Sequence, residues 1–87
     1  MPERRRVHRT QVYWCAQIVL DQSCQDCVVR DISSLGARLA FISTAAIPET
    51  FELTVDEAHL RRRCRVVWRS DSQIGVEFQE SLFHHAA

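Results

Sequence analysis

The segment Arg4-Arg5-Arg6-Val7-His8-Arg9 sets Arg5 and Arg9 four residues apart, with Arg4 and Arg6 on either side of Arg5. In an irregular stretch these guanidiniums can converge on one ligand that offers several phosphate or purine acceptors. A guanidinium is a planar fork that grips phosphate through two parallel N–H bonds, and the same fork matches O6 and N7 of guanine. Taken by itself, the run also has the composition of a solvated basic tail. A second cluster, Asp31-Ile32-Ser33-Ser34-Leu35-Gly36, places a carboxylate and a hydroxyl two residues apart, on one side of an extended chain. A carboxylate accepts from guanine N1–H and N2–H, and a hydroxyl can add a contact. Gly36 permits a positive φ or a close backbone approach. The same residues also suit a serine-stabilised turn between strands.

Other constellations lead away from catalysis. Cys24-Gln25-Asp26-Cys27 has the CxxC spacing of zinc and dithiol sites. Zinc would need two more converging ligands, and there is no second CxxC and no HxxxH. A redox dithiol needs a helix N-terminus to lower a thiol pKa, whereas the flanking residues have strand composition. Cys15 and Cys64 stand within apolar alternation and are expected to pack as small core hydrophobes. Neither a GxSxG elbow, a P-loop nor a GxGxxG occurs, and His84 and His85 are adjacent and cannot share a helix face. No carboxylate pair has an apolar pocket to split its pKa values. The expectation is a protein that is not an enzyme, with no metal and no cofactor.

The elements that must position these residues read as strands. Gln11 to Leu20 is rich in Val, Tyr, Trp and Ile and is expected to be buried on more than one side. Asp21-Gln22-Ser23 reads as a turn, and Cys27 to Ser33 as a second strand ending at Ser34-Leu35-Gly36. Ala37 to Ile42 reads as a third, although Leu35, Leu39, Ile42 and Ala46 also fall at helical spacing. Phe51, Leu53 and Val55 alternate with polar residues, as do Cys64, Val66 and Trp68, which are expected to point inward. Ile74, Val76 and Phe78 complete a sixth strand. Six short strands with a turn every 8–12 residues or so predict an all-β, closed antiparallel barrel. Residues 1–10 form an Arg-rich arm expected to be flexible, 11–79 the barrel, and 80–87 a short tail.

At 87 residues the chain is one small domain, without room for two lobes and a cleft. No apolar run approaches the roughly 20 residues of a membrane span, and no apolar region follows the N-terminal arginines as it would in a signal peptide. A cytoplasmic location and reduced thiols are therefore expected. The 11 basic and 11 acidic residues cancel, which argues against a nucleic-acid polymer. The basic residues are all arginine, and five of them (Arg61, Arg62, Arg63, Arg65, Arg69) crowd one predicted strand. There Glu52 and Glu77 on neighbouring strands can form cross-strand ion pairs with them. An Arg-lined nucleic-acid barrel is the weaker reading of that strand.

Taken in order, Arg5-Arg6-Val7-His8-Arg9, then a strand, then Asp31-Ile32-Ser33-Ser34-Leu35-Gly36, then Gln73-Ile74-Gly75-Val76-Glu77-Phe78, resemble the PilZ domain, a bacterial receptor module for cyclic di-GMP. The family pattern is RxxxR followed by [DN]xSxxG, and the match runs through nearly the whole chain. The resemblance implies a six-stranded antiparallel barrel, which agrees with the strand count above. It implies that Arg5 and Arg9 grip ligand phosphates and guanine faces, that Asp31 and Ser33 hold a guanine, and that Gly36 shapes the turn. It implies for Arg4 a role in binding a stacked pair of ligands instead of one. Signalling would then pass to an unidentified downstream protein. The alternative is a barrel that docks on a protein partner without nucleotide. Cys24 and Cys27 belong to neither motif.

Overall fold

The computed structural model describes residues 8–79 of the 87. Its strands are β1 (Thr10–Val19), β2 (Cys24–Ile32), β3 (Gly36–Ala40), β4 (Thr50–Val55), β5 (Leu60–Arg69) and β6 (Gln73–Phe78), and no helix occurs among the described residues. The order β1-β2-β3-β6-β5-β4 closes into a barrel in which every neighbouring pair is antiparallel. Gln17, Ile18 and Val19 of β1 pair with Thr54, Leu53 and Glu52 of β4 and complete the ring. Closure leaves no strand edge open to pair with another chain. The expected all-β barrel is therefore present. The rest of the arm (1–7) and the tail (80–87) lie outside the described residues.

Short turns carry the chain between strands. Leu20 N–H donates to the Ser23 carbonyl at 2.8 Å, and His59, at φ 50°, donates to the Asp56 carbonyl at 3.0 Å. The longer β3–β4 connection is tied to the β5–β6 turn, where Phe41 N–H reaches the Ser72 carbonyl and Thr44 N–H the Asp71 carbonyl. The Thr44 hydroxyl, itself buried, donates to the Ser70 carbonyl, and Arg69 Nη1 donates to the Thr44 carbonyl at 2.8 Å. The helical spacing across 35–46 is not used. Pairing with β2 on one side and β6 on the other satisfies the β3 backbone, and Ile42 of the would-be apolar stripe is 99% exposed.

The interior holds one contiguous core to which all six strands contribute. Its largest fully buried side chains are Ile18, Leu39, Leu53, Ile74, Val29 and Val55, with Cys64 beside them. Each apolar side chain of this size stabilises the fold by roughly 1.5–3 kcal/mol. Surface ion pairs on the Arg-rich strand contribute far less, because solvent screens them.

Three expectations about facing require correction. Cys15 is exposed, because the inward phase of β1 belongs to Ala16 and Ile18. For the same reason β1 is not buried on both sides; Tyr13, Gln17 and Val19 look outward. Trp68 does not continue inward from Cys64 and Val66. The register slips between Val66 and Trp68, so that Val66 faces Val76 whereas Trp68 faces Gly75. This bulge inserts Val67 as the extra residue and turns Trp68 to the outer wall.

Cys27 and Cys64 are buried in the barrel, and Cys15 and Cys24 are exposed. Burial first, and the neighbouring Asp26 charge second, push the Cys27 thiol up to about 12. Cys64 is likewise pushed up to about 12 by burial and then by Cys27, against the smaller opposing pull of Arg62 and Arg63. At pH 8 a disulfide-exchange reagent should therefore titrate Cys15 and Cys24 in the folded protein and all four thiols after unfolding. Both folded values lie above the ordinary 9.0. The unfolded chain therefore loses these protons first, and stability that is intact below pH 9 should fall as the pH rises towards 12. Four thiols reacting together at pH 8 in native conditions would contradict this account.

Candidate functional site

The two sequence clusters meet on the outer wall, and a second bulge brings them there. Cys27 and Val29 of β2 point inward, so an unbroken pleat would carry Asp31 inward as well. The β2–β3 register instead shifts between Val29, which faces Leu39, and Asp31, which faces Arg38. Arg38 lies between the buried Ala37 and Leu39 and therefore faces out, and Asp31 shares its face. On the other flank Asp31 is the partner of Gln11, where β1 carries a matching irregularity between Gln11 and Trp14. Arg30 is left exposed, with its guanidinium 5.7 Å from the centre of the Tyr13 ring.

Asp31 is only 7% exposed, and both of its oxygens are engaged. Arg38 Nε donates to Oδ2 at 2.8 Å, and Arg9 Nη1 donates to Oδ1 at 3.2 Å. Arg38 Nη1 also reaches Gln73 Oε1 on β6 at 3.3 Å. Two cations thus flank one anion, which leaves the cluster net positive before the arm's remaining arginines are considered. The Arg9 side chain is about half exposed (54%) and Arg38 about one-third (31%). Each keeps N–H groups to offer, since a guanidinium carries five. The Asp31 carboxylate has lone pairs beyond the two in use. Such a surface can take a phosphate on the arginines and an N–H-rich purine edge on the carboxylate.

Ser33 and Gly36 build the turn next to it. Ser33 Oγ accepts from Leu35 N–H at 3.1 Å and Gly36 N–H at 3.3 Å, and Ser33 N–H donates to the Gly36 carbonyl at 2.9 Å. The hydroxyl thus holds the turn in this conformation. Gly36 has no positive φ. Its need for glycine is close approach, since a Cβ there would sit 2.1 Å from the Val76 carbonyl oxygen. Of the residues singled out in the sequence, Arg9, Asp31, Ser33 and Gly36 fall in one region, whereas Arg4 and Arg5 lie outside the described residues. Arg38 and Gln73 were not anticipated. Arg38 was legible as the outward residue of its strand, but only the register shows that it meets Asp31.

Elsewhere on the wall the predicted cross-strand pairing is present. Arg61 Nε donates to Glu52 Oε2 at 2.8 Å, and Arg65 pairs with Glu77. The Arg61 hydrogen bond, aided by the Arg61 and Arg63 charges, holds the Glu52 carboxyl below its ordinary value. A cavity of about 660 Å³ lies away from the cluster, among Cys15, Asp26, Cys27, Phe41, Thr54 and Asp56, and shares no residue with it. Among the described residues no three His, Cys, Asp or Glu side chains converge as a metal site would require. Among the described residues no helix is long and apolar enough to cross a membrane.

The described residues thus form a small closed barrel whose outer wall carries a carboxylate clamped by two arginines. The chain belongs to the PilZ domain family, whose model matches residues 3–84. PilZ domains are generally cyclic di-GMP receptor modules that act through protein partners. A search of curated proteins finds no match.

The site makes two predictions about stability. In Gly36→Ala the added methyl meets β6 backbone, which cannot swing aside, so urea denaturation should show a loss of about 1–3 kcal/mol. A double-mutant cycle on Arg38 and Asp31 should give a coupling of about 1–2 kcal/mol, and one on Arg9 and Asp31 less than about 1 kcal/mol, because Arg9 is largely solvated. Equal couplings would mean that burial does not set the strength of these pairs.

Proposed function

We propose that this protein binds cyclic di-GMP on the outer wall around Asp31 and passes the signal on by protein association. The observation that carries the reading is the Arg9–Asp31–Arg38 cluster, set beside the turn built by Ser33 and Gly36 in a member of the PilZ family. Arg9, with Arg4 and Arg5 of the arm, takes the phosphates and the guanine O6 and N7 edges. Asp31 accepts from guanine N1–H and N2–H. Ser33 contributes a hydroxyl contact, and Gly36 keeps the turn close to β6.

The Arg9–Asp31 pair supplies the switch. In the free protein Arg9 rests on Asp31 through an ion pair whose arginine side is about half exposed and so partly screened by solvent. A ligand with two phosphates competes for Arg9 and draws the arm onto the wall, while its guanine takes up the vacated acceptor capacity of Asp31. The cost of fixing the arm is offset by charge-assisted hydrogen bonds to the phosphates. The surface around the N-terminal segment is thereby changed, and a downstream protein can recognise the difference. No bond is made or broken, so no catalytic group is required.

Isothermal titration calorimetry with cyclic di-GMP tests this on wild type, Arg5→Ala, Arg9→Ala and Asp31→Ala. Wild type should bind, and each variant should lose at least about tenfold in affinity, the equivalent of one charge-assisted hydrogen bond. Two ligands bound per chain would support the role proposed for Arg4. A wild type without affinity, or variants that bind equally well, would favour a barrel that docks on protein irrespective of nucleotide.

A further inference from the structure

The β1–β2 hairpin is longer than the strands beside it. β3 meets β2 between Val28 and Ile32, and β4 meets β1 at Gln17, Ile18 and Val19. The hairpin therefore runs past the β3 ladder at Asp26 and Cys27 and past the β4 ladder at Cys15 and Ala16. The cavity of about 660 Å³ opens at this overhang. Register sets its outward residues in two rows, Ala40–Val28–Cys15 across β3, β2 and β1, and Asp26–Gln17–Thr54 across β2, β1 and β4. With strands about 4.8 Å apart, each row is roughly 10 Å wide, the breadth of one or two side chains.

The first row is apolar and continues into Ile42, which is 99% exposed just past the end of β3. The second row is acidic at both ends. Asp26 stands at one end, and Asp56 lies two residues beyond Thr54 at the other. Both are exposed. Asp26 Oδ1 accepts from the neutral Gln17 side chain at 3.1 Å, and no arginine or histidine lines the hollow. Elsewhere on the wall Asp31, Glu52 and Glu77 each hold an arginine. Asp26 and Asp56 form no ion pair among the described residues.

We propose that this hollow docks a segment of a protein partner that carries an Arg or Lys beside a large apolar side chain. The apolar side chain rests on Val28, Ala40 and Ile42, and the cation is held between Asp26 and Asp56. The same two carboxylates repel an anionic ligand, so the hollow and the Arg9–Asp31–Arg38 wall sort their ligands by charge. The two sites share no residue, so both can be filled at once. Ile42 carries the apolar surface out beyond the hollow, which suits a chain laid across the wall better than a small molecule enclosed in it. The proposal does not depend on the cyclic di-GMP reading.

The test titrates nucleotide-free, isotope-labelled protein with acetyl-Phe-Arg-Leu-Arg-Phe-amide and with the same peptide carrying Glu for Arg, followed by amide chemical shifts. The arginine peptide should bind at least about tenfold tighter, with its shifts centred on Val28, Ala40, Ile42 and Thr54. Asp26→Asn with Asp56→Asn should weaken it about 2- to 10-fold, the range of two exposed ion pairs. Ile42→Ser should weaken it roughly 3- to 10-fold, and as the residue is fully exposed the fold is untouched. Bound peptide should also slow alkylation by iodoacetamide of Cys15, which lines the hollow, while Cys24, which does not, keeps its rate. Equal binding of the two peptides, shifts centred away from the hollow, or no binding up to about 5 mM overturns the proposal. Phenethylamine that binds as tightly as the arginine peptide shows that the hollow takes small organic cations and overturns the assignment to a protein segment. Each of these outcomes leaves the cyclic di-GMP reading standing.

Discussion

Closing six antiparallel strands into a narrow barrel gives each strand side chain one of two destinations, the packed interior or the outer wall. With strict alternation the assignment is settled for a whole strand as soon as one residue is placed, and a shift of one residue exchanges the two sets. Ile18, Val29, Leu39, Leu53 and Ile74 pin the phase of their strands because each is fully buried. Everything chemical about this protein is then a question of where the alternation is interrupted. It is interrupted next to Asp31 and next to Trp68.

Those interruptions turn Asp31 and Trp68 onto the outer wall. Without the first, the Asp31 carboxylate would be directed at Val29 and Leu39, where an unpaired charge is too costly to keep. With it, the carboxylate lies on the outer wall, held by Arg38 and Arg9. The arginines are unequal by design of the fold. Arg38 is anchored at both ends, by Asp31 and Gln73, whereas Arg9 precedes β1 and holds Asp31 through a longer, more exposed contact.

Much of this was legible in the residues. The alternation of Phe51, Leu53 and Val55 and of Ile74 and Val76 specified half-buried strands, and their spacing implied the barrel. The arginine run and the Asp31–Gly36 stretch stood out as ordered motifs, and Arg9 and Asp31 meet in the structure. What was misread was phase. Cys64, Val66 and Trp68 alternate faultlessly on paper, and Cys15 sits among apolar neighbours, yet Trp68 and Cys15 face solvent. The hydroxyl of Ser33 accepts from the Leu35 and Gly36 N–H groups, a turn that the short motif already suited. Arg38 was seen to face outward, but no local pattern joins it to Asp31 seven residues before.

The amino-acid order by itself determined which segments are strands, where the chain reverses and which short motifs are present, because those depend on neighbours within a few residues. It also carried the charge pattern, whose overall cancellation conceals an arginine-rich arm and a strand whose arginines meet Glu52 and Glu77. Only the tertiary structure decided which outward residues meet. Asp31, Arg38, Gly75 and Trp68 come from four strands, and their alignment depends on two single-residue register shifts. A bulge is the compromise between the pairing of two strands and the packing of the core beneath them. Neither strand specifies it alone, so it exists only once the barrel has closed.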